Sequence, residues 1–233
     1  MGDSTRLEQV ALALDTPDWG RFVELCSVFG PRVGVLKVGL EAYTRWGATA
    51  ITEASQHCPE IFLDIKLHDI PNTVAGAVSA VCDLGVKYLT VHAAGGPAML
   101  EAAAKAADGR VHLLAVTLLT HLDAETLTLL DMPGDGSSRA SRWATLASDA
   151  GCHGAVCSAH EVATLRRLLP PPFTLVTPGI RLAGGVAGED QARVAGPREA
   201  LEQGSDLLVV GRPLTQARDA ELALAEWARA LAG

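Results

Sequence analysis

Eight short apolar runs alternate with eight helix-forming stretches along 233 residues, and this alternation limits the possible folds more than any other feature. The runs cover residues 10–15, 33–38, 61–67, 88–93, 111–118, 154–158, 174–177 and 206–211. Each is almost continuously apolar or β-branched, the mark of a parallel strand covered on both faces. Ala-, Leu- and Glu-rich stretches fill the gaps, at 17–29, 41–56, 74–84, 98–107, 140–150, 160–168, 197–203 and 214–231. Strict alternation over eight units, with no linker, predicts one α/β domain over residues 1–233, a (β/α)8 TIM barrel. A doubly wound open sheet is the alternative, but no G-x-G-x-x-G follows the first run, which favours closure. Two stretches read as longer loops, 132–139 and the glycine-rich 181–197. The second follows the seventh run, where either a cover over the barrel mouth or a solvated insertion would sit.

Composition narrows the function classes. With 48% hydrophobic residues the chain has ample material for a core, and a formal charge of −8 argues against non-specific binding to nucleic acid or anionic membranes. No apolar run approaches the ~20 residues of a membrane span, and the first residues lack a charged-then-apolar signal pattern, which predicts a cytoplasmic chain. The five cysteines, Cys26, Cys58, Cys82, Cys152 and Cys157, are scattered, odd in number and without a C-x-x-C pair. They predict reduced, mostly buried thiols. No H-x-x-x-H pair occurs among the seven histidines, so no metal site is expected.

Charges inside the apolar runs are the informative exceptions. Asp15 ends the first run and Lys37 sits near the end of the second, in V-L-K-V-G. Asp64 and Lys66 lie in the third, in I-F-L-D-I-K-L, with Asp69 just beyond. Residues 64 and 66 are two apart, which on a pleated strand puts both side chains on one face. A bare charge in an apolar strand is costly unless paired, so these charges of alternating sign are expected to compensate one another. A purely structural ion cluster is one reading. Concentration at strand C-terminal ends, the active face of a barrel, favours a functional site.

A second signal lies at the other end of the chain. The last run ends D-L-L-V-V-G-R-P, putting Gly211 and Arg212 where the chain turns into a helix, and T-P-G-I-R after the seventh run adds Arg181. Barrels often bind phosphate at these two loops, through open backbone N–H groups and planar guanidinium forks. Gln191, in the glycine-rich loop, could add a neutral donor. The alternative for Arg212 is a surface side chain capping a turn.

The stretch 64–73, read as D-x-K-x-x-D-I-P-N-T, resembles the signature of the orotidine 5′-phosphate decarboxylase family. The resemblance runs through nearly the whole chain: A-L-D at 13–15, L-K-V-G at 36–39, V-H-A-A-G-G at 91–96, V-T-L-L-T at 116–120, T-P-G-I-R at 177–181, G-E-D-Q at 188–191 and V-V-G-R-P at 209–213. It implies loss of CO2 from orotidine 5′-monophosphate to give UMP, the last step of pyrimidine synthesis, with no metal or organic cofactor. By the same resemblance Asp15 binds the ribose, and Lys37 bridges the ribose and the charge network. Asp64 faces the substrate carboxylate, and Lys66 protonates the pyrimidine carbon within an Asp64–Lys66–Asp69 network. Asp69, Ile70 and Thr73 reach into a neighbouring subunit, implying a homodimer with shared active sites. Thr120 contacts the pyrimidine, and Arg181, Gln191, Gly211 and Arg212 grip the phosphate. The sequence departs from the family pattern at His121, where many relatives carry a small hydroxyl residue, at Leu182, where proline is common, and locally over 131–142. His92, in V-H-A-A-G-G, reads as a packed residue that orients its neighbours.

Two other functions share part of this pattern. A 3-keto-sugar-phosphate decarboxylase of the same superfamily has D-x-K-x-x-D and uses Mg²⁺, but needs a carboxylate at the end of the second strand, where Lys37 stands. A non-catalytic phosphate-binding barrel is expected to have lost one of the charges, and Asp15, Lys37, Asp64, Lys66 and Asp69 are all present.

Overall fold

The computed structural model describes residues 7–132, 134–182 and 195–232. Eight parallel strands close into a barrel in chain order: β1 (Leu7–Ala13), β2 (Val33–Gly39), β3 (Ile61–Leu67), β4 (Tyr88–His92), β5 (His112–Val116), β6 (Gly154–Val156), β7 (Thr174–Pro178) and β8 (Leu207–Val210). β1 pairs with β8 and completes the ring. This is the expected (β/α)8 architecture.

The strand residues serve two apolar layers. Ala11, Val35, Phe62, Leu114, Val176 and Leu207 form a cluster inside the ring. Their sequence neighbours, among them Val10, Leu12, Leu36, Leu63, Leu113 and Leu208, belong to the larger core between the strands and the surrounding helices. Both faces are therefore buried, which explains why the runs are continuously apolar rather than alternating. Two residues along the inward side from Val35 and Phe62 stand Lys37 and Asp64, so the charges form the top layer of the barrel interior.

The helices differ from expectation at their ends and breaks. α1 (Trp19–Phe29) starts where Asp18 accepts a hydrogen bond from the Arg21 amide at 2.7 Å. The stretch 41–56, expected as one helix, is α2 (Leu40–Trp46) and α3 (Ala48–Ser55), separated at Gly47, whose φ of 55° no interior helical residue adopts. α4 (Pro71–Cys82) begins at a proline rather than at residue 74, with Pro71 using its preset φ in the first turn. α5 (Gly96–Ala107) follows β4. A short helix missed from sequence, α6 (Ala124–Leu129), is capped by Asp123. α7 (Gly136–Asp149) consumes half of the expected loop 132–139, because Asp135 accepts from the amides of Ser137 and Ser138. α8 (Ala159–Leu168) and α9 (Pro197–Glu202) match expectation closely. The last stretch, expected as one helix over 214–231, divides into α10 (Arg212–Thr215) and α11 (Ala220–Ala232).

Trp19, Phe22 and Trp46 pack ring against ring, with centroids 5.0–5.4 Å apart, and Trp227 is buried, in keeping with packing roles. All five cysteines are free and four are buried; burial is the main cause that pushes the Cys26 and Cys152 thiols up to about 12. Among the described residues no helix is long and apolar enough to cross a membrane.

β2 packs against β1 so closely that a Cβ on Gly34 would lie 1.9 Å from the Glu8 carbonyl oxygen. Gly34→Ala must therefore push two strands apart, and is expected to lower stability by about 1–3 kcal/mol. Chemical denaturation measures this as a lower midpoint with an unchanged slope.

Candidate active site

The mouth of the barrel opens into a cavity of about 760 Å³ lined by Asp15, Lys37, Asp64, Lys66, Thr120, Arg181, Gly211 and Arg212, among others. Eight of the twelve residues singled out from sequence thus meet in one place. Asp15, Lys37, Asp64 and Lys66 meet because the first three strands are neighbours in the ring: Ala13 stands opposite Lys37, and Gly39 opposite Asp64. The stagger brings the end of β1, the upper part of β2 and the middle of β3 to one height. Gly39 leaves the space between them open, since a Cβ there would lie 2.6 Å from Asp15 Oδ1 and 3.3 Å from Lys37 Nζ.

Asp64 is the hub. Lys37 Nζ lies 3.2 Å from its Oδ2, and Lys66 Nζ donates to its Oδ1 at 2.8 Å. Asp15 Oδ2 closes the row, 4.0 Å from Lys37 Nζ. The charges therefore run minus, plus, minus, plus from β1 to β3. Exposure of the side chains is graded, with Lys37 at 7%, Asp64 at 15%, Lys66 at 31% and Asp15 at 55%. Burial alone would push the Asp64 carboxyl up, but the two flanking ammonium groups and the hydrogen bonds from Lys66 and Thr90 hold it below its ordinary value. Burial likewise works against the Lys37 charge, yet Asp64 and Asp15 outweigh it and the ammonium is held above its ordinary value.

The same-face expectation for residues 64 and 66 holds for their contact but not for its cause. β3 pairs with β4 at Leu63–Leu89 and again at Leu67–Val91, so Asp64, Ile65 and Lys66 together oppose the single residue Thr90. The extra chain is absorbed at Lys66, whose φ is 51°. A lysine in the left-handed region is strained by about 1–3 kcal/mol and such strain concentrates at functional sites. Thr90 was not singled out from sequence. It is fully buried, accepts from the Lys66 amide at 2.9 Å and donates to Asp64 Oδ1 at 3.0 Å. A threonine within an apolar run carries little signal, since threonine is an ordinary strand residue.

Asp69 is expected to act across to a neighbouring subunit, and it is not among the residues that line the cavity of its own chain. Within one chain it makes no ion pair with Lys66; it is exposed beyond the end of β3, and its Oδ1 accepts from the Ile70 amide at 2.6 Å. The chain turns outward there into α4, so Asp69, Ile70 and Thr73 form an exposed edge outside the cavity lining, with Ile70 66% exposed. His92 lies close by, its ring 5.1 Å from that of His68, and its Nδ1 accepts from the Ala94 amide at 3.4 Å. Burial first, then the charges of His68 and Lys66, holds it below the ordinary histidine value.

Across the mouth, Arg181 follows β7 and Arg212 opens α10, with Gly211 as the preceding residue. α10 has four residues, too few for a developed macrodipole, so the positive character of this part of the mouth comes from the two guanidinium groups and the backbone N–H groups. Around Gly211 the nearest atom to an added Cβ is 3.6 Å away, which leaves its backbone approachable. Gln191, and most of the loop 181–197, lie outside the described residues.

Comparison with known proteins agrees with this geometry. The sequence model described as "Orotidine 5'-phosphate decarboxylase / HUMPS family" matches residues 8–227. A protein named orotidine 5'-phosphate decarboxylase from Anaeromyxobacter sp. (strain K) is 47% identical over 212 residues, 91% of this chain and 93% of the relative. One of the same name from Thermobifida fusca (strain YX) is 47% identical over 224 residues, 95% of each. The crystal structure of orotidine 5'-phosphate decarboxylase from Lactobacillus acidophilus superposes with a TM-score of 0.83 at 32% identity, covering 97% of this chain and 100% of that one.

The two shifted groups define a pH window. Asp64, held low, contributes stability above the ordinary carboxylate value of 3.8 that is lost as pH falls through its lowered value. Lys37, held high, contributes stability below 10.5 that is lost as pH rises through its raised value. Lys37→Met removes one of the two cations on Asp64, so that carboxyl must move up. The stability gap between wild type and variant is expected to widen from pH 3 to pH 7 in urea denaturation; a gap independent of pH would mean that Lys37 does not hold the Asp64 charge.

Proposed function

Because the chain belongs to the Orotidine 5'-phosphate decarboxylase / HUMPS family, we propose that the charged mouth of the barrel is a decarboxylase site, with Lys66 as its proton donor. The chain converts orotidine 5′-monophosphate to UMP and CO2, the last step of pyrimidine biosynthesis, as its relatives' names indicate. The observation that carries the residue assignment is the shared carboxylate: Asp64 between two ammonium groups, one deeply buried and one facing the cavity.

The chemistry requires such an arrangement. When the bond from C6 to the carboxylate breaks, its electron pair stays in an sp² orbital at C6, with no carbonyl placed to delocalise it. Lys66 stabilises that pair as a cation and then donates its proton to C6, forming the C6–H bond; the neutral amine recovers a proton from solvent. Asp64 lies against the substrate carboxylate, a repulsion that falls as CO2 departs. Asp15 and Lys37 hold the ribose, and Thr120 contacts the pyrimidine. Arg181, Gln191, Gly211 and Arg212 bind the phosphate, whose remote binding energy helps enforce this geometry at the reacting carbon.

Asp69, Ile70 and Thr73 act in a partner's site. Their exposure on one edge and the missing Lys66–Asp69 pair within the chain support a homodimer in which Asp69 completes the neighbouring charge network. The reading takes residues 1–233 as one cytoplasmic domain that needs no cofactor. Lys37 separates it from the Mg²⁺-dependent branch, which needs a metal-binding carboxylate at the end of the second strand, where this chain carries an ammonium that would repel Mg²⁺. All five charges are present, which argues against a decayed site.

Loss of the orotidylate absorbance in the presence of excess EDTA, with free orotidine far slower, is the expected behaviour of the purified protein. Turnover that stops with EDTA and returns with Mg²⁺ would contradict the cofactor-free reading. Lys66→Ala is expected to lower kcat at least about a thousandfold while still binding UMP; full activity in that variant would remove Lys66 as the proton donor.

A further inference from the structure

Thr90 touches both Asp64 and Lys66 of β3 and is not among the residues that line the cavity. Its side chain is fully buried, and it is the one residue of β4 that faces the three-residue excursion of β3. Over that excursion the regular ladder is interrupted, and the Lys66 amide uses the Thr90 hydroxyl as its acceptor. The hydroxyl has one proton, and that proton goes to Asp64 Oδ1. Asp64 Oδ1 also receives Lys66 Nζ at 2.8 Å. One oxygen therefore ties together the backbone of Lys66 and the carboxylate that its own ammonium pairs with. The ring of contacts runs from the Lys66 amide through Thr90 and Asp64 to the Lys66 ammonium.

We propose that Thr90 is a positioning residue for the decarboxylation: its hydroxyl fixes the left-handed backbone at Lys66 and the orientation of the Asp64 carboxylate, and so sets where the Lys66 ammonium meets the substrate carbon. The proposal rests on the decarboxylase reading given above. Several features favour positioning over simple strand packing. A valine would fill the same volume, so the hydroxyl is not needed to occupy the space. Both hydrogen bonds go to residues of the charge row, and the accepted one meets the residue with positive φ. A small misplacement of a reacting group suffices to lower a rate by one to two orders of magnitude.

The test compares Thr90→Val with Thr90→Ser in steady-state turnover of orotidine 5′-monophosphate, with the wild type alongside. Thr90→Val is expected to lower kcat about 10- to 100-fold while KM changes less than about threefold, since ribose and phosphate contacts are untouched. Thr90→Ser keeps the hydroxyl and is expected to recover most of kcat. A carboxyl-carbon NMR titration of Asp64 supplies a readout independent of turnover. Losing the Thr90 donor must move that carboxyl upward in Thr90→Val and leave it in place in Thr90→Ser. Should Thr90→Val not fold, Thr90→Cys gives the same contrast, because the thiol is a weak donor. A wild-type kcat in the valine variant, an unmoved Asp64 titration, or a serine variant as slow as valine would overturn the proposal. A wild type that does not turn over orotidylate would instead overturn the decarboxylase reading, while the Asp64 titration still tests the Thr90 contact.

Discussion

A carboxylate held between two ammonium groups, in a place too dry for Asp64 or Lys37 to stand alone, is the interaction on which the rest of this site depends. Asp64 without Lys37 and Lys66 would be an uncompensated charge above the apolar interior of the barrel, and Lys37 without Asp64 would be a buried cation with only the more distant Asp15 for company. Removing one member of such a group leaves the others exposed to the full cost of burial. The row is stable only as a row. That is why Asp64 stays ionised despite burial.

The fold supplies the row through closure and stagger. Strands one to three are neighbours in sequence and in the ring, so residues 15, 37 and 64 meet without any long-range coincidence. The stagger of the barrel lifts each strand relative to the one before, and the inward alternation that places Val35 and Phe62 inside continues to Lys37 and Asp64. Lys66 is the exception. It reaches Asp64 through a break in the β3–β4 ladder, where its amide donates to the Thr90 hydroxyl. The proposed phosphate end, on β7 and β8, closes the ring beside β1, and it needs no charge network because guanidinium groups and backbone N–H groups suffice for an anion.

Much of this was legible in the residues themselves. Continuous apolar runs identified all eight strands, and the charges that interrupt them marked the mouth, since a buried strand tolerates an aspartate or lysine only for a reason. What was not legible depended on single backbone angles or on tertiary contacts. Gly47 breaks a helix that its flanking residues would continue, and Asp135 starts one inside a Gly- and Ser-rich stretch that reads as loop. The outward turn of Asp69 follows from how β3 ends, which the spacing D-x-K-x-x-D does not encode. Thr90 was hidden for a different reason: its meaning lies in facing a bulge, and nothing in L-T-V-H announces one.

The central claim is that the Lys66 ammonium delivers a proton to C6 of the pyrimidine. By microscopic reversibility the same lysine must also remove that proton from bound UMP. Incubating the protein with UMP in D2O and following the C6 hydrogen by proton NMR tests this without relying on decarboxylation. Enzyme-dependent exchange of that hydrogen for deuterium is expected in the wild type, and its loss in Lys66→Ala. Equal exchange in both proteins would contradict the claim.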